Sequence, residues 1–339
     1  MGIRFSYCLV ALGLITPPSF ADDPAPFQSI DRHALAAPKD VEKSFSTLTS
    51  YLVKPAKNDT EKVRAIFRWV TDRVNYDVES LLKRQVGDNS PEYVLKYRKG
   101  VCQGYAGLVE RLCQEAGIEV AQVRGFAKGY GTLPTDKAGE SNHRWNAVKI
   151  DGEWRLLDPT WGAGYLNLKR FAKDFNDYYF FTPPEQLIFS HFPLEEKWQA
   201  LTPPVDAKEF AKYAKAVDSR FFCCGISADA VKTKLAEPNF RELVKIFDVP
   251  GGKVLIHDAP LDRRLKQGTR YHFKVASNSS EYPGLAIINN DEWTDFRRKG
   301  DVFEGYVTLR PDKDCRLVRY KEGKKDDVKF FVVLEYIVE

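Results

Sequence analysis

A chain of 339 residues, 43% of them apolar and 29% charged, can bury enough surface for two ordinary domains and does not have the composition of a disordered tail. Its 51 basic and 47 acidic side chains leave a formal charge of +4 with no long run of one sign, so nucleic acid and membrane surface are not indicated as partners.

In chain order, the first element reads as a leader. Arg4 precedes the apolar run Tyr7 to Ile15, and Ser19-Phe20-Ala21 puts small residues where a signal peptidase reads. The run is too short to span a bilayer, and Pro17 and Pro18 would end a buried helix early. The expectation is a signal peptide over 1–21, cut after Ala21, and a secreted or periplasmic product of 318 residues with charge +3. That product keeps Cys102, Cys113, Cys223, Cys224 and Cys315, an odd set in which at least one thiol stays unpaired.

After a loose lead-in over 22–30, Val41, Phe45, Leu48 and Leu52 recur at helical spacing, as do Val63, Ile66, Phe67, Val70 and Val74. Asn58 and Glu61 are spaced as a capping box for the second helix. Ser90-Pro91 has the form of a helix start, and Gly100 is expected to end that helix. The next helix carries two cysteines. Ala106, Val109, Leu112, Cys113 and Ala116 form its apolar stripe, and Gly117 stops it. Cys102 falls in its first turn, where unpaired amides and the helix dipole favour an anion, whereas Cys113 lies three turns deeper with no such help. A bridge between the two is excluded, because eleven residues of helix separate them by roughly 16 Å.

Strand-like runs follow: Val120 to Gly125, Arg144 to Ile150 and Trp154 to Leu157, the last two joined by the hairpin dipeptide Asp151-Gly152. The Gly-rich stretch Gly129 to Asn142 between them is long enough for a functional rim or lid. If Asp151 and Gly152 form the turn, Ile150 faces Glu153 and, counting outward, Asp158 faces Trp145. His143 then becomes the diagonal neighbour of Asp158 on the same face, roughly 7 to 8 Å away at the backbone. An imidazole and a carboxylate bridge that gap, so the register predicts an oriented base. His191 and Asp206 have the same fifteen-residue spacing, but Pro193, Pro203 and Pro204 stand between them without a hairpin, so nothing brings that pair together.

From about Asp206 a helical linker leads into Lys253 to His257, Arg270 to Ala276, Leu285 to Ile288, Phe303 to Leu309, Arg316 to Tyr320 and Lys329 to Val338, which read as a small antiparallel sandwich. Two alternatives stand for the remaining cysteines: one of Cys223 and Cys224 ties the linker to Cys315, or the thiols stay reduced. The adjacent pair lacks further ligands at zinc spacing, and Asn289 to Asp295 lacks the central glycine of a calcium loop, so no metal and no cofactor are expected.

The stretches "GVCQGYAGL", "NHRWNAVKIDGEWRLLDPTWGAG" and "DYYFFTPPEQLIFSHFPLEEKW", with "IFRWVTDRVNYD" before them, resemble the transglutaminase-like superfamily and closely its kyphoscoliosis peptidase branch. The resemblance runs from about Asp31 to Trp198. It implies an α+β chain: a papain-like, transglutaminase-like catalytic core over 22–205, then a helical linker and immunoglobulin-like β-sandwich over 206–339. Residue by residue it puts the nucleophile on Cys102, the base on His143 and the orienting acid on Asp158. One oxyanion donor is expected to be the backbone amide of Cys102, and Gln103, Tyr76 and Trp69 remain open for the second. Trp161 and Gly162, just past the acid, either wall the cleft or serve packing. The implied activity is acyl transfer at amides of a protein or peptide substrate, with hydrolysis favoured. Amide exchange, amide formation on cell-wall peptides, or a non-catalytic scaffold that engages a protein partner through the sandwich are the alternatives.

Overall fold

A computed structural model describes residues 26–83, 85–128, 141–167, 170–311, 314–321 and 328–339. The expected signal peptide and most of the Gly129 to Asn142 stretch lie outside these residues.

The helical layer is built as the apolar spacing demands. Gln28–Leu35, Phe45–Leu52, Asp59–Arg73, Pro91–Tyr97 and Cys102–Glu115 are helices. They bury Leu48, Leu52, Ile66, Phe67, Val70, Leu108 and Leu112 in one cluster. Asn58 Oδ1 accepts from the Glu61 amide at 2.9 Å, while Glu61 reaches back one residue further than a capping box would, to the Lys57 amide at 2.7 Å. The helix Pro91–Tyr97 ends at Arg98, which takes a left-handed φ of 55°, and not at Gly100 as expected. Gly100 instead pairs in a short parallel bridge with Tyr76, where a Cβ would press on the Asn89 and Val94 side chains at 3.1 Å. Arg64, almost wholly buried in this layer, is held by Asp31 at 2.6 Å and by Asp177.

The cysteine helix packs on a four-stranded antiparallel sheet with spatial order Glu153–Leu157, His143–Ile150, Val120–Ala127, His191–Pro193. Its hairpin has the expected register: Ile150 faces Glu153 and Asn146 faces Leu157, with Asp151 at φ 52° and Gly152 at φ 86° in the two-residue turn. Asn146 Nδ2 donates to the Ala106 carbonyl at 3.0 Å and fastens the sheet to the cysteine helix. On the helix's other side, the Tyr105 hydroxyl donates to the Val74 carbonyl at 2.6 Å.

Helices Ala207–Ala216, Arg220–Cys223 and Ala228–Ala236 follow, and then two further sheets. One runs Val254–Asp258, Arg270–Ser277, Val302–Thr308, Arg297–Lys299. The other runs Arg264–Leu265, Lys329–Val338, Asp314–Lys321, Gly284–Asn289, Glu292–Asp295, with Lys245–Ile246 also on the long strand. All six expected strands form. The architecture is the α+β one expected, a helical layer on an antiparallel sheet followed by sheets that make a β-sandwich; Arg264–Leu265 departs from the antiparallel pattern by pairing parallel to Ile337 and Val338. One apolar cluster joins Phe126 and Phe189 of the first part to Phe210 and Phe222 of the helices and Phe273 and Tyr336 of the sheets. Among the described residues no helix is long and apolar enough to cross a membrane. Cys102, Cys113, Cys223 and Cys224 are in no disulfide, so the bridge from Cys223 or Cys224 to Cys315 does not form here; Cys315 is buried while Cys223 is exposed.

Candidate active site

Three elements bring Cys102, His143 and Asp158 together. Cys102 is the first residue of its helix, entered through extended Val101, whose amide is held by Asn89 Oδ1 at 2.8 Å. In that first turn the amides of Cys102 and Gln103 precede any intrahelical acceptor. His143 opens its strand opposite Gly125. Asp158 leaves the sheet as the cap of the short helix Pro159–Ala163; its Oδ1 accepts from the Thr160 amide at 2.8 Å and the Trp161 amide at 3.0 Å. Its other oxygen, Oδ2, lies 2.6 Å from His143 Nε2. The diagonal relationship read from the hairpin is therefore a direct hydrogen bond.

With Nε2 committed to Asp158, the remaining nitrogen of His143 serves the thiol, which is hydrogen-bonded to the imidazole and also accepts from the Arg144 amide. His143 is 7% exposed and Asp158 fully buried. Burial alone would lower the His143 pKa, but the Asp158 carboxylate and the Cys102 sulfur override it and raise it to about 10. Burial alone would raise the Cys102 thiol, yet the bond to His143 and its charge bring it below the ordinary value. Asp158, despite complete desolvation, is held well below the usual carboxylate range by His143 and its hydrogen bonds. All three shifts favour the thiolate–imidazolium–carboxylate state. Cys113, wholly buried in apolar surroundings, is pushed far above an ordinary thiol.

A residue that spacing arguments set aside also reaches this cluster. His191 opens the short edge strand His191–Pro193, and its Nε2 lies 2.9 Å from the same Asp158 Oδ2. Asp206, its equally spaced counterpart, caps the helix Ala207–Ala216 elsewhere through the Glu209 amide. The sequence signal for His191 is indirect: its strand reaches the sheet only because Gly125, opposite Pro193, has no side chain.

A cleft of about 440 Å³ opens beside His143, walled by Tyr76, Trp161, Phe171 and Tyr179, with Lys128 and Asn142 at its polar side. Trp161 is thus a cleft wall, packed 5.8 Å from the His143 ring and 4.6 Å from that of His191. Gly162 serves packing, since a Cβ there would lie 2.5 Å from Phe67. Of the three side chains left open as the second oxyanion donor, Trp69 is committed elsewhere: it is fully buried and its Nε1 donates to Glu42 at 2.8 Å. Tyr76 lines the cleft, and Gln103 is exposed.

Residues 46–159, an interval that contains all three side chains, match the model of the transglutaminase-like superfamily. The kyphoscoliosis peptidase of Mus musculus is 37% identical over 187 residues, 54% of this chain and 28% of that protein, and the Homo sapiens one is 35% identical over the same length. Hillarin of Drosophila melanogaster is 34% identical over 281 residues, 78% of this chain and 33% of its own. The chain spans about a third or less of the length of these relatives. Through the region that carries the cluster, the chain belongs to the transglutaminase-like superfamily.

Proposed function

We propose that the protein is a thiol-dependent acyl-transfer enzyme acting on protein or peptide amides, with Cys102 as nucleophile, His143 as acid and base, and Asp158 as the group that orients His143. The single observation that carries this reading is the hydrogen-bonded line from the Cys102 thiol through His143 to Asp158, 2.6 Å at its second link, whose middle member His143 lines an open cleft.

In the reaction, the Cys102 thiolate adds to the amide carbonyl. The C–N bond breaks as His143 passes its proton to the departing nitrogen, and a thioester remains on Cys102. Water then gives a proton to His143 while its oxygen attacks the thioester; the C–S bond breaks, the acid leaves, and thiolate and imidazolium are restored. A primary amine in place of water gives a new amide and the same end state. Ionising a thiol of pKa about 8.5 gains at most about 2 kcal/mol at pH 7. Most of the acceleration must come from positioning and from donors at the oxyanion, each worth about 3 to 4 kcal/mol. The Cys102 backbone amide, in the first helical turn, is the donor that requires no special side chain.

Hydrolysis is the favoured outcome because water is the default acceptor where nothing excludes it. Mass spectrometry of protein substrates incubated with the enzyme and a primary amine tests this: new chain termini are expected, amine adducts would make it a transamidase, and neither, with Cys102→Ala as control, would leave a scaffold. The proposed setting is outside the cytoplasm, resting on the leader-like residues 1–21; an exported product that begins at Asp22 is expected.

A further inference from the structure

We propose that His191 is a neutral second donor to Asp158 that governs how tightly the carboxylate holds the proton of His143. This rests on the acyl-transfer reading, because His191 acts only through Asp158 and is a positioning residue.

The four acceptor positions of the Asp158 carboxylate are all taken. Oδ1 has the Thr160 and Trp161 amides; Oδ2 has His143 Nε2 at 2.6 Å and His191 Nε2 at 2.9 Å. An ionised carboxylate is purely an acceptor, so Nε2 of His191 must carry a proton. Its Nδ1 lies 2.8 Å from Ser190 Oγ, whose one proton can turn either to this nitrogen or to the Leu187 carbonyl at 3.2 Å; the shorter contact is to the nitrogen. The tautomer with Nε2 protonated and Nδ1 accepting satisfies both contacts with the ring neutral. A second cation here is opposed by burial, the residue being 1% exposed, by the His143 ring centred 5.5 Å away and by Lys128, and together these outweigh the pull of Asp158. Trp145 and Trp161 pack edgewise against the ring at 5.1 and 4.6 Å and fix its plane.

The groups facing this cluster come from all the elements packed on it: Cys102 and Tyr105 from the cysteine helix, Lys128 from the end of the central strand, and Tyr179 from the turn Asp177–Tyr179. Asp218 and Arg220 act at longer range through Lys128. Of these, only His143 and His191 donate side-chain hydrogen bonds to Oδ2 among the described residues. The same three side chains form a potential metal-ligand group, but with both Nε2 atoms protonated toward one oxygen neither presents a lone pair.

A hydrogen bond to a charged form stabilises that form, so each donor to Oδ2 makes the carboxylate less basic. Removing His191 leaves His143 as the sole Oδ2 partner, and the imidazolium is then retained to higher pH. Holding His143 too tightly would slow proton delivery to the leaving nitrogen, so His191 keeps the acid usable.

The test uses iodoacetate, an anionic alkylating agent drawn to the imidazolium, with carboxymethylation of Cys102 followed by mass spectrometry across pH 5 to 11. The wild-type rate is expected to rise as the thiolate forms and to fall as His143 deprotonates. His191→Phe, which fills the site without a donor, should move the falling limb up by about half to one pH unit. His191→Gln, whose amide can donate from a similar place, should restore it. If His191→Phe fails to fold by circular dichroism, Ser190→Ala, which weakens His191 as a donor, should give a smaller upward shift. A limb that is unmoved or moves down in these folded variants overturns the proposal while leaving the acyl-transfer reading intact. A wild-type Cys102 that titrates as an ordinary thiol with no falling limb overturns the reading on which it rests.

Discussion

Gly125 stands directly between His143 and Pro193 in the sheet, paired with His143 on one side and with Pro193 on the other. A Cβ at this position would lie 2.3 Å from the Phe192 carbonyl oxygen and 2.5 Å from the Trp145 ring. The absence of a side chain at residue 125 is what lets the edge strand deliver His191 to the buried carboxylate.

Gly125→Ala is accordingly expected to cost about 1 to 3 kcal/mol through overpacking, and to lower Cys102-dependent activity as well, because the strand His191–Pro193 must shift. Gly87→Ala, where nothing lies within 4 Å, is the control and should change neither. Urea unfolding and thiol labelling of the two variants provide the comparison.

Asp158→Ala removes a fully buried acceptor that serves two imidazoles and two backbone amides. Breaking a buried charged network from one side costs about 3 to 5 kcal/mol. The unfolding midpoint in urea should fall correspondingly, and labelling of Cys102 at neutral pH should slow. An unchanged midpoint would mean that the carboxylate is not the hub described.

The same network sets a pH window for stability. The folded His143 pKa is raised to about 10, so its contribution is fully present below the unfolded value near 6.5 and is lost as pH rises through 10. Asp158 is depressed, so its contribution is present above an unfolded value near 3.9 and is lost as the solution is acidified below it. Melting temperatures should therefore drop on both sides. His143→Gln should flatten the alkaline decline between about pH 6.5 and 10. Equal slopes for wild type and variant would show that His143 takes no part in it.

Gly152 offers a test of the hairpin itself. Its φ of 86° is required by the two-residue turn, while nothing crowds its Cβ position. Gly152→Ala should cost about 1 kcal/mol from backbone strain alone, with the folded variant keeping normal Cys102 labelling. A large loss of labelling in a folded variant would show that the turn does more than hold register.

Much of this site could be read from local pattern. The dipeptide Asp151-Gly152 fixes a register, and the register alone brings His143 to Asp158; a cysteine at a helix start needs only the helix signal to be placed. His191 escaped that reasoning because its contact is made through an edge strand of three residues, reached after a second hairpin, Gly164–Asn167 with Arg170–Lys173, and several turns. Trp69 looked available for the cleft, but its partner Glu42 sits in another helical segment that no spacing connects to it. In the sandwich, Glu292–Asp295 and Arg297–Lys299 were missed because every residue in them is exposed, so they carry no alternation of apolar and polar side chains. Arg98 holds the left-handed position that ends its helix, and Gly100, two residues on, belongs to the short parallel bridge with Tyr76, a non-local pairing that no spacing announces.

The measurement that bears most directly on the account is the pH dependence of Cys102 alkylation by iodoacetamide, read by mass spectrometry in the wild type and in His143→Ala. The account predicts that Cys102 reacts as a thiolate below the ordinary thiol value, ahead of Cys113, and that His143→Ala returns it to a value near 8.5 or above. An unshifted Cys102 with the same profile in both proteins would contradict it.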